Sequence, residues 1–156
     1  MAKRIIIIVL IVIIVLQFIQ PSHNNGSAIA ATDINHELQI PDTIMAILKV
    51  SCYDCHSNKT YYPWYSKITP VNWWLDNHIR NGKRSLNFTE FTKYTYKKRA
   101  HRMGDIAETV EKHEMPLNSY LWIHKNAILS KEQEKMLIDW AHTAQKQVIQ
   151  DSLNRK

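Results

Sequence analysis

Two thiols and an imidazole lie close together in the segment Cys52-Tyr53-Asp54-Cys55-His56, which contains both cysteines of the chain. Thiols three residues apart at the end of a helix can reach the two vinyl groups of one porphyrin, and the adjacent imidazole can bind the porphyrin iron. The spacing therefore predicts one haem c, attached through Cys52 and Cys55, with His56 as an iron ligand.

Other chemistries use the same residue types. A structural disulfide would leave His56 without a role. A thioredoxin-type dithiol needs a strand before it and a helix after it, whereas here a helix comes first. A tetrahedral zinc site would need a fourth ligand and usually a second pair of cysteines. Haem attachment is the favoured prediction, with zinc and a disulfide as the alternatives.

A sixth iron ligand must come from elsewhere in the chain. Met45, Met103 and Met136 lie on or beside apolar helical stripes, where methionine usually fills the core. Met115 is different, because Pro116 ends the helical pattern and stiffens a loop that could hold a thioether against iron. We therefore predict Met115 as the sixth ligand.

Two histidines are alternatives to Met115. His78 falls on the apolar stripe of a predicted helix, where a histidine more often belongs to the core or contacts a haem propionate, and it ranks second. His113 lies two residues before Met115 and could coordinate the iron if the loop rearranged.

The elements that would position these residues are helical, because no alternating strand pattern occurs after residue 39. Pro41 and Asp42 open the first helix, on which Ile44 and Leu48 share a face with Cys52. A second helix begins at Thr69-Pro70, carries the stripe of Leu75 and His78, and is expected to end at Gly82. The proline-fixed loop before this helix, around residues 68–70, is expected to supply the backbone carbonyl that accepts a hydrogen bond from the His56 ring.

Three more helices are predicted in the second half of the chain. One covers about residues 96–112 and a short one covers about 118–124. Ser130 and Gln133 form a capping box for the last helix, whose buried face includes Leu137 and Trp140. The chain beyond Val148 is polar and is expected to fray.

The N-terminus carries a long apolar run. Residues 5–19 are apolar except Gln17, and Lys3 and Arg4 precede them. This pattern predicts a membrane segment with the rest of the chain on the periplasmic side of the bacterial inner membrane. An uncleaved anchor is favoured over a signal peptide cleaved at Ala28-Ile29-Ala30, although about 22 Å of helix is short for a bilayer core of about 30 Å.

These observations divide the chain into residues 1–20 as anchor or signal peptide, 21–38 as polar linker, 39–150 as helical domain and 151–156 as frayed tail. Without Lys3 and Arg4, the formal net charge of +6 becomes +4, which suits docking onto an acidic redox partner or an anionic membrane surface. Given export, nucleic acid is not an expected partner. The cluster Lys97-Lys98-Arg99 with Arg102 is most simply a solvated helix face. A dense set of tyrosine and tryptophan side chains suits packing against a large flat apolar cofactor.

With the haem motif, the chain also contains Ile68-Thr69-Pro70-Val71-Asn72-Trp73-Trp74-Leu75, Leu86-Asn87-Phe88, Glu114-Met115-Pro116-Leu117 and Trp140. In these segments it resembles the bacterial haem-binding domain family of cytochrome c-like proteins over about residues 40–145. The resemblance implies a membrane-tethered cytochrome with one haem, thioether bonds at Cys52 and Cys55, His56 as proximal ligand and Met115 as distal ligand.

The order of elements is more distantly similar to class I cytochrome c, in which the first and last helices cross. The expected fold is thus an all-α, class I cytochrome c-like domain around one covalent haem, preceded by an N-terminal membrane segment. The expected function is electron transfer without enzyme activity or a small-molecule substrate. The alternative is a haem sensor or peroxidase-like enzyme whose sixth iron position is open or displaceable. A third possibility is a purely structural domain within a larger membrane complex.

Overall fold

The computed structural model describes residues 1–27 and 30–154, and most of these residues are helical. Within these ranges β pairing is limited to one isolated bridge between Asn25 and Lys59. The predicted all-α class is therefore confirmed. The α-helices are α1 (Ala2–Leu16), α2 (Asp42–Ser51), α3 (Tyr53–His56), α4 (Val71–Ser85), α5 (Tyr96–Glu111), α6 (Asn118–Leu121) and α7 (Lys131–Asn154). Short 3-10 helices cover Ile34–His36, Trp64–Lys67, Phe88–Lys93 and Lys125–Ala127.

The N-terminal helix corrects one prediction. Helix α1 has 15 residues, which at 1.5 Å per residue makes it about 22 Å long, against about 30 Å for a hydrocarbon core. Among the described helices, none combines the length and the apolar character needed to span a membrane. The predicted N-terminal membrane segment is wrong, and so is the predicted location anchored through it on the periplasmic side of the inner membrane.

The segment between α1 and α2, expected to be a polar linker, contacts the helical domain. Ile34 and Leu38 are buried in its main core. Asn24 Nδ2 donates hydrogen bonds to Ser57 O and to Thr60 Oγ1. Of the expected cleavage site Ala28-Ile29-Ala30, the first two residues lie outside the described ranges.

The main core lies between α2, α5 and α7. Small residues such as Ala100, Ala141 and Ala144 are buried there, which lets α5 and α7 approach closely. Ile44 and Leu48 of α2 belong to the same buried cluster as Leu137, and Trp140 packs against that cluster, as predicted. The contact of α2 with α7 positions the cysteine motif, because α3 follows α2 directly.

The two ends of α7 compare differently with the sequence predictions. At the start of α7, Ser130 N donates to Gln133 Oε1 at 2.9 Å and Gln133 N donates to Ser130 Oγ at 3.2 Å, so the predicted capping box is confirmed. Helix α7 continues to Asn154, although fraying was expected beyond Val148. Residues 155–156 lie outside the residues that the structure describes.

The basic cluster at the start of α5 is only partly a solvated face. Arg99 is 8% exposed and forms an ion pair with Glu37. Its Nε also donates a hydrogen bond to the carbonyl oxygen of Tyr94 at 2.8 Å. This arginine therefore joins the segment before α2 to α5.

Candidate functional site

The cysteine motif forms a separate turn after α2. Cys52 has φ −129° and ψ −41°, which interrupts the helix, and α3 begins at the next residue. Cys55 N and His56 N both donate to Cys52 O, at 3.2 and 3.0 Å. The turn places Cys52, Cys55 and His56 on the wall of one cavity, as the spacing predicted.

Both cysteines are free thiols. Burial, with a smaller contribution from Cys55, raises the pKa of Cys52 to about 12. Burial and then Asp54 raise the pKa of Cys55 to about 11. Both thiols are thus protonated at neutral pH. In the described part of the chain no group of three or more His, Cys, Asp or Glu residues is placed to hold a metal ion, so the zinc alternative gains no support. The disulfide alternative gains none either, because both cysteines are free.

His56 is held by a backbone carbonyl. Its Nδ1 lies 3.0 Å from Leu86 O, and because a carbonyl only accepts, Nδ1 carries the hydrogen and donates. Burial lowers the pKa of His56, against the opposing effect of hydrogen bonds to Leu86 and Gly82. The ring is therefore neutral at pH 7, and its Nε2 has a free lone pair for a metal.

The partner carbonyl differs from the one expected. A metal-ligating histidine usually donates its other N–H to a fixed acceptor, and we expected that acceptor in residues 68–70. Helix α4 instead passes through Gly82 and ends at Ser85, which brings Leu86 beside α3. Leu86 has extended backbone angles, so its carbonyl points away from the ladder of α4 and can accept from His56.

Gly82 allows α4 to approach the motif. A Cβ at this position would lie 2.7 Å from Cys55 O and 3.2 Å from Cys55 Cβ. Only a residue without a side chain fits against that backbone. The expectation that Gly82 ends the helix is wrong, because close packing explains the glycine instead.

Three adjoining cavities surround the motif. The central cavity, of about 280 Å³, is lined by Cys52, Cys55, His56, His78 and Met115, among others. The inner recess, of about 100 Å³, shares Cys52, His56 and Met115 with it and extends towards α5. The aromatic groove, of about 550 Å³, shares Cys55 and His78 with it and opens between Trp64, Trp74 and Trp122.

Met115 is placed by the end of α5. His113 has a φ of 55°, the left-handed conformation that ends many helices. The chain then turns back, so that Glu114 N and Met115 N both donate to Thr109 O, at 2.9 and 3.1 Å. These bonds hold Met115 on the wall of both the central cavity and the inner recess, where His56 also lies.

The two alternative ligands are placed differently. His78 lines the central cavity and the aromatic groove, and its Nδ1 donates to Trp74 O at 2.8 Å, which leaves Nε2 as an acceptor. His113 is exposed, with Nδ1 3.4 Å from Glu134 Oε1, and it lines none of the three cavities. The structure thus brings Met115 and His78 to the motif and leaves His113 outside.

A polar network beside the motif was not foreseen. Tyr120 OH donates to Asp54 Oδ2 at 2.9 Å, and the Tyr120 ring stacks on His124 at 4.1 Å. His124 Nε2 lies 2.9 Å from Tyr65 OH. Burial, followed by the Asp54 charge, raises the pKa of Tyr120 well above its ordinary value. Asp54 lies inside the motif, but its partner Tyr120 is distant in the sequence. Residue spacing therefore could not predict that these two side chains form a hydrogen bond.

Comparison with known proteins identifies the family. A family model described as a haem-binding domain matches residues 11–143. No curated protein and no solved structure shows a significant match. Because the matched region includes the cysteine motif, Met115 and most of the helical core, this chain belongs to the haem-binding domain family.

Proposed function

We propose that this chain is a single-haem c-type cytochrome that transfers electrons. The observation that carries the proposal is the convergence of Cys52, Cys55, His56 and Met115 on one cavity, with His56 held by the Leu86 carbonyl. Bound haem supplies an iron that alternates between the ferric and ferrous states.

The donor set fits a haem. The neutral His56 ring offers Nε2 to iron, and the Met115 thioether is a soft neutral ligand. Cys52 lines the central cavity and the inner recess, whereas Cys55 lines the central cavity and the aromatic groove, so the thiols serve neighbouring parts of the combined space. The walls are mainly apolar, as a porphyrin face requires.

Covalent attachment through both cysteines is the finer part of the proposal. Each thiol would add its sulfur and its hydrogen across one vinyl double bond. One S–C bond and one C–H bond form, the S–H bond and the vinyl π bond break, and no electrons are lost. The free state of both thiols supports this role, because neither sulfur is committed to a disulfide.

Met115 as the sixth ligand favours a carrier over a catalyst. A thioether bound to iron fills the position that a substrate would need and stabilises the ferrous state. The fixed geometry of its loop, with two N–H groups on Thr109 O, suits a ligand that stays in place through the redox cycle.

The aromatic groove is the proposed face for redox partners. Trp64 and Trp122 are each 74% exposed, and both line this groove beside Cys55. Lys83 and Arg84 lie on α4, which also lines this groove. With a net charge of +6, the chain would attract an acidic protein, and this groove would offer it a surface next to Cys55, one of the proposed attachment residues.

The first experiment measures haem on the chain itself. The protein is produced together with a cytochrome c maturation system, and haem is quantified by pyridine haemochrome before and after acid-acetone extraction. We expect one haem per chain, retained after extraction, and a six-coordinate low-spin spectrum in both redox states. Complete removal of haem by extraction would refute covalent attachment, and a five-coordinate spectrum would favour the sensor or peroxidase-like alternative.

A further inference from the structure

One buried donor beside the motif has no partner. Among the described residues, Arg102 Nε and Tyr53 OH are buried side-chain polar atoms without a hydrogen bond. Arg102 lies on α5, and its Nη1 donates to Asp105 Oδ2 at 2.6 Å. That pairing uses one of the five N–H groups of the guanidinium and leaves Nε–H unsatisfied, which is rare and unfavourable for a buried donor.

The position of Arg102 points to the cofactor site. It lines the inner recess, together with Cys52, His56 and Met115. Of the residues that line the central cavity, the inner recess and the aromatic groove, Arg102 is the one with a permanent positive charge. Much of the recess wall is apolar, formed by Leu48, Leu86, Phe88, Ile106 and Val110.

The polar neighbours of Arg102 in the recess already have other partners. Thr109 Oγ1 donates to Asp105 O at 2.7 Å, and Thr109 O accepts from Glu114 N and Met115 N. Asp105 Oδ2 accepts from Arg102 Nη1, and Asp105 Oδ1 lies 3.5 Å from Nδ1 of His101. None of these bonds gives Nε an acceptor.

Tyr53, the other unpartnered group, faces a different space. It lines a separate cavity with Asp33, His36, Lys49 and Lys59, and it lines none of the three cavities around the motif. Its orphaned hydroxyl therefore carries no inference about the haem site.

We propose that Arg102 Nε–H, on the wall of the inner recess, binds a carboxylate of the haem, one of its two propionates, and so positions the cofactor within the combined space of the three cavities. This inference rests on the proposed function. A charge-assisted N–H to carboxylate bond would satisfy the orphaned donor and would stabilise a negative charge next to apolar walls. The guanidinium suits both partners at once, because its fork presents separate N–H groups to Asp105 and to the propionate.

The test compares three variants of the full-length holoprotein. Arg102→Gln removes the charge and Nε–H, and Arg102→Lys keeps the charge without the fork. Arg80→Gln is the matched control, because Arg80 also pairs with an aspartate on its own helix but is 67% exposed and lines none of the three cavities. The readouts are the propionate bending band in the resonance Raman spectrum and the midpoint potential.

We expect Arg102→Gln to move the propionate band to lower frequency, Arg102→Lys to move it less, and Arg80→Gln to leave it unchanged. Loss of a cation near the iron should lower the ferrous-to-ferric ratio at a fixed potential by roughly tenfold. For a one-electron couple this corresponds to a midpoint potential that is about 59 mV lower. An unchanged band and potential in Arg102→Gln would overturn the proposal.

A second measurement needs no variant. In ferrous wild-type protein labelled with ¹⁵N, the Arg102 Nε–H should show a nuclear Overhauser effect to propionate methylene protons. Absence of that contact in a holoprotein with one haem would contradict the Arg102 assignment alone. Absence of any haem from the purified chain would instead contradict the proposed function.

Discussion

The Nδ1 atom of His56 lies 3.0 Å from the carbonyl oxygen of Leu86, and this contact joins the motif to the end of α4. The bond fixes the tautomer of the ring, because Nδ1 must carry the hydrogen. It also ties the orientation of a proposed iron ligand to the packing of α3 against α4. Substitutions that move these two helices apart should therefore change the spectrum of the iron as well as the stability of the fold.

Replacement of Met115 by alanine tests the sixth ligand. We expect the variant to lose the near-infrared sulfur-to-iron charge-transfer band, to have a lower potential and to bind carbon monoxide, because the soft thioether no longer fills the iron position. His78→Ala should keep the band. Met136→Ala is the control, since Met136 is exposed and lines none of the cavities around the motif.

The opposite result would reassign the ligand. If Met115→Ala remains six-coordinate and low-spin while His78→Ala does not, the iron has two histidine ligands. A wild-type protein that already binds carbon monoxide readily would weaken the electron-carrier proposal.

Single serine substitutions test the two thioether bonds separately. Cys52→Ser and Cys55→Ser should each retain haem through one bond, with an α-band in the pyridine haemochrome spectrum intermediate between haem c and haem b, because one vinyl group stays unsaturated. The double variant should release all its haem on extraction. An unshifted band in either single variant would show that the substituted cysteine forms no bond.

Replacement of Gly82 by alanine should destabilise the protein. The new Cβ would lie 2.7 Å from Cys55 O, and backbone atoms cannot rotate away. Overpacking of this kind costs about 1–3 kcal/mol, against a gain in helix propensity of about 1 kcal/mol. We expect a net decrease of about 1 kcal/mol in the free energy of unfolding, measured by chemical denaturation, and a changed iron spectrum.

Gly104→Ala is the control for this substitution. Its Cβ would lie 2.6 Å from Gln145 Nε2, the end of a flexible side chain that can move, although its hydrogen bond to Ala100 O would be lost. A gain in helix propensity of about 1 kcal/mol offsets a loss of about the same size, so the substitution should be close to neutral. Equal losses of stability in the two variants would show that contact with the Cys55 backbone is not the reason for Gly82.

The capping box gives a prediction that is independent of the cofactor. Ser130→Ala removes the acceptor of Gln133 N at the start of α7 and should lower the free energy of unfolding by about 1 kcal/mol. Ser152→Ala lies at the other end of the same helix and should have little effect. A smaller loss for Ser130→Ala than for Ser152→Ala would contradict the role of the cap.

Local patterns in the sequence determined much of this protein. The CxxCH spacing indicated a haem site because it needs only five consecutive residues to bring two thiols and an imidazole together. Helical periodicity located α2 and α5 within one or two residues of their observed bounds. The Ser130–Gln133 cap was also predictable, because its partners are three residues apart and depend on backbone geometry alone.

Tertiary structure decided everything that depends on contacts between distant segments. The hydrogen-bond acceptor for His56 is the Leu86 carbonyl, because α4 continues past Gly82. The sequence alone does not distinguish a glycine required by close packing, as Gly82 is, from a glycine that ends a helix. Apolar composition at the N-terminus suggested a membrane span, but the helix that forms there is too short. Arg102 was indistinguishable from a surface cation until packing buried its Nε beside the motif, because burial is a property of neighbours that sequence spacing does not contain.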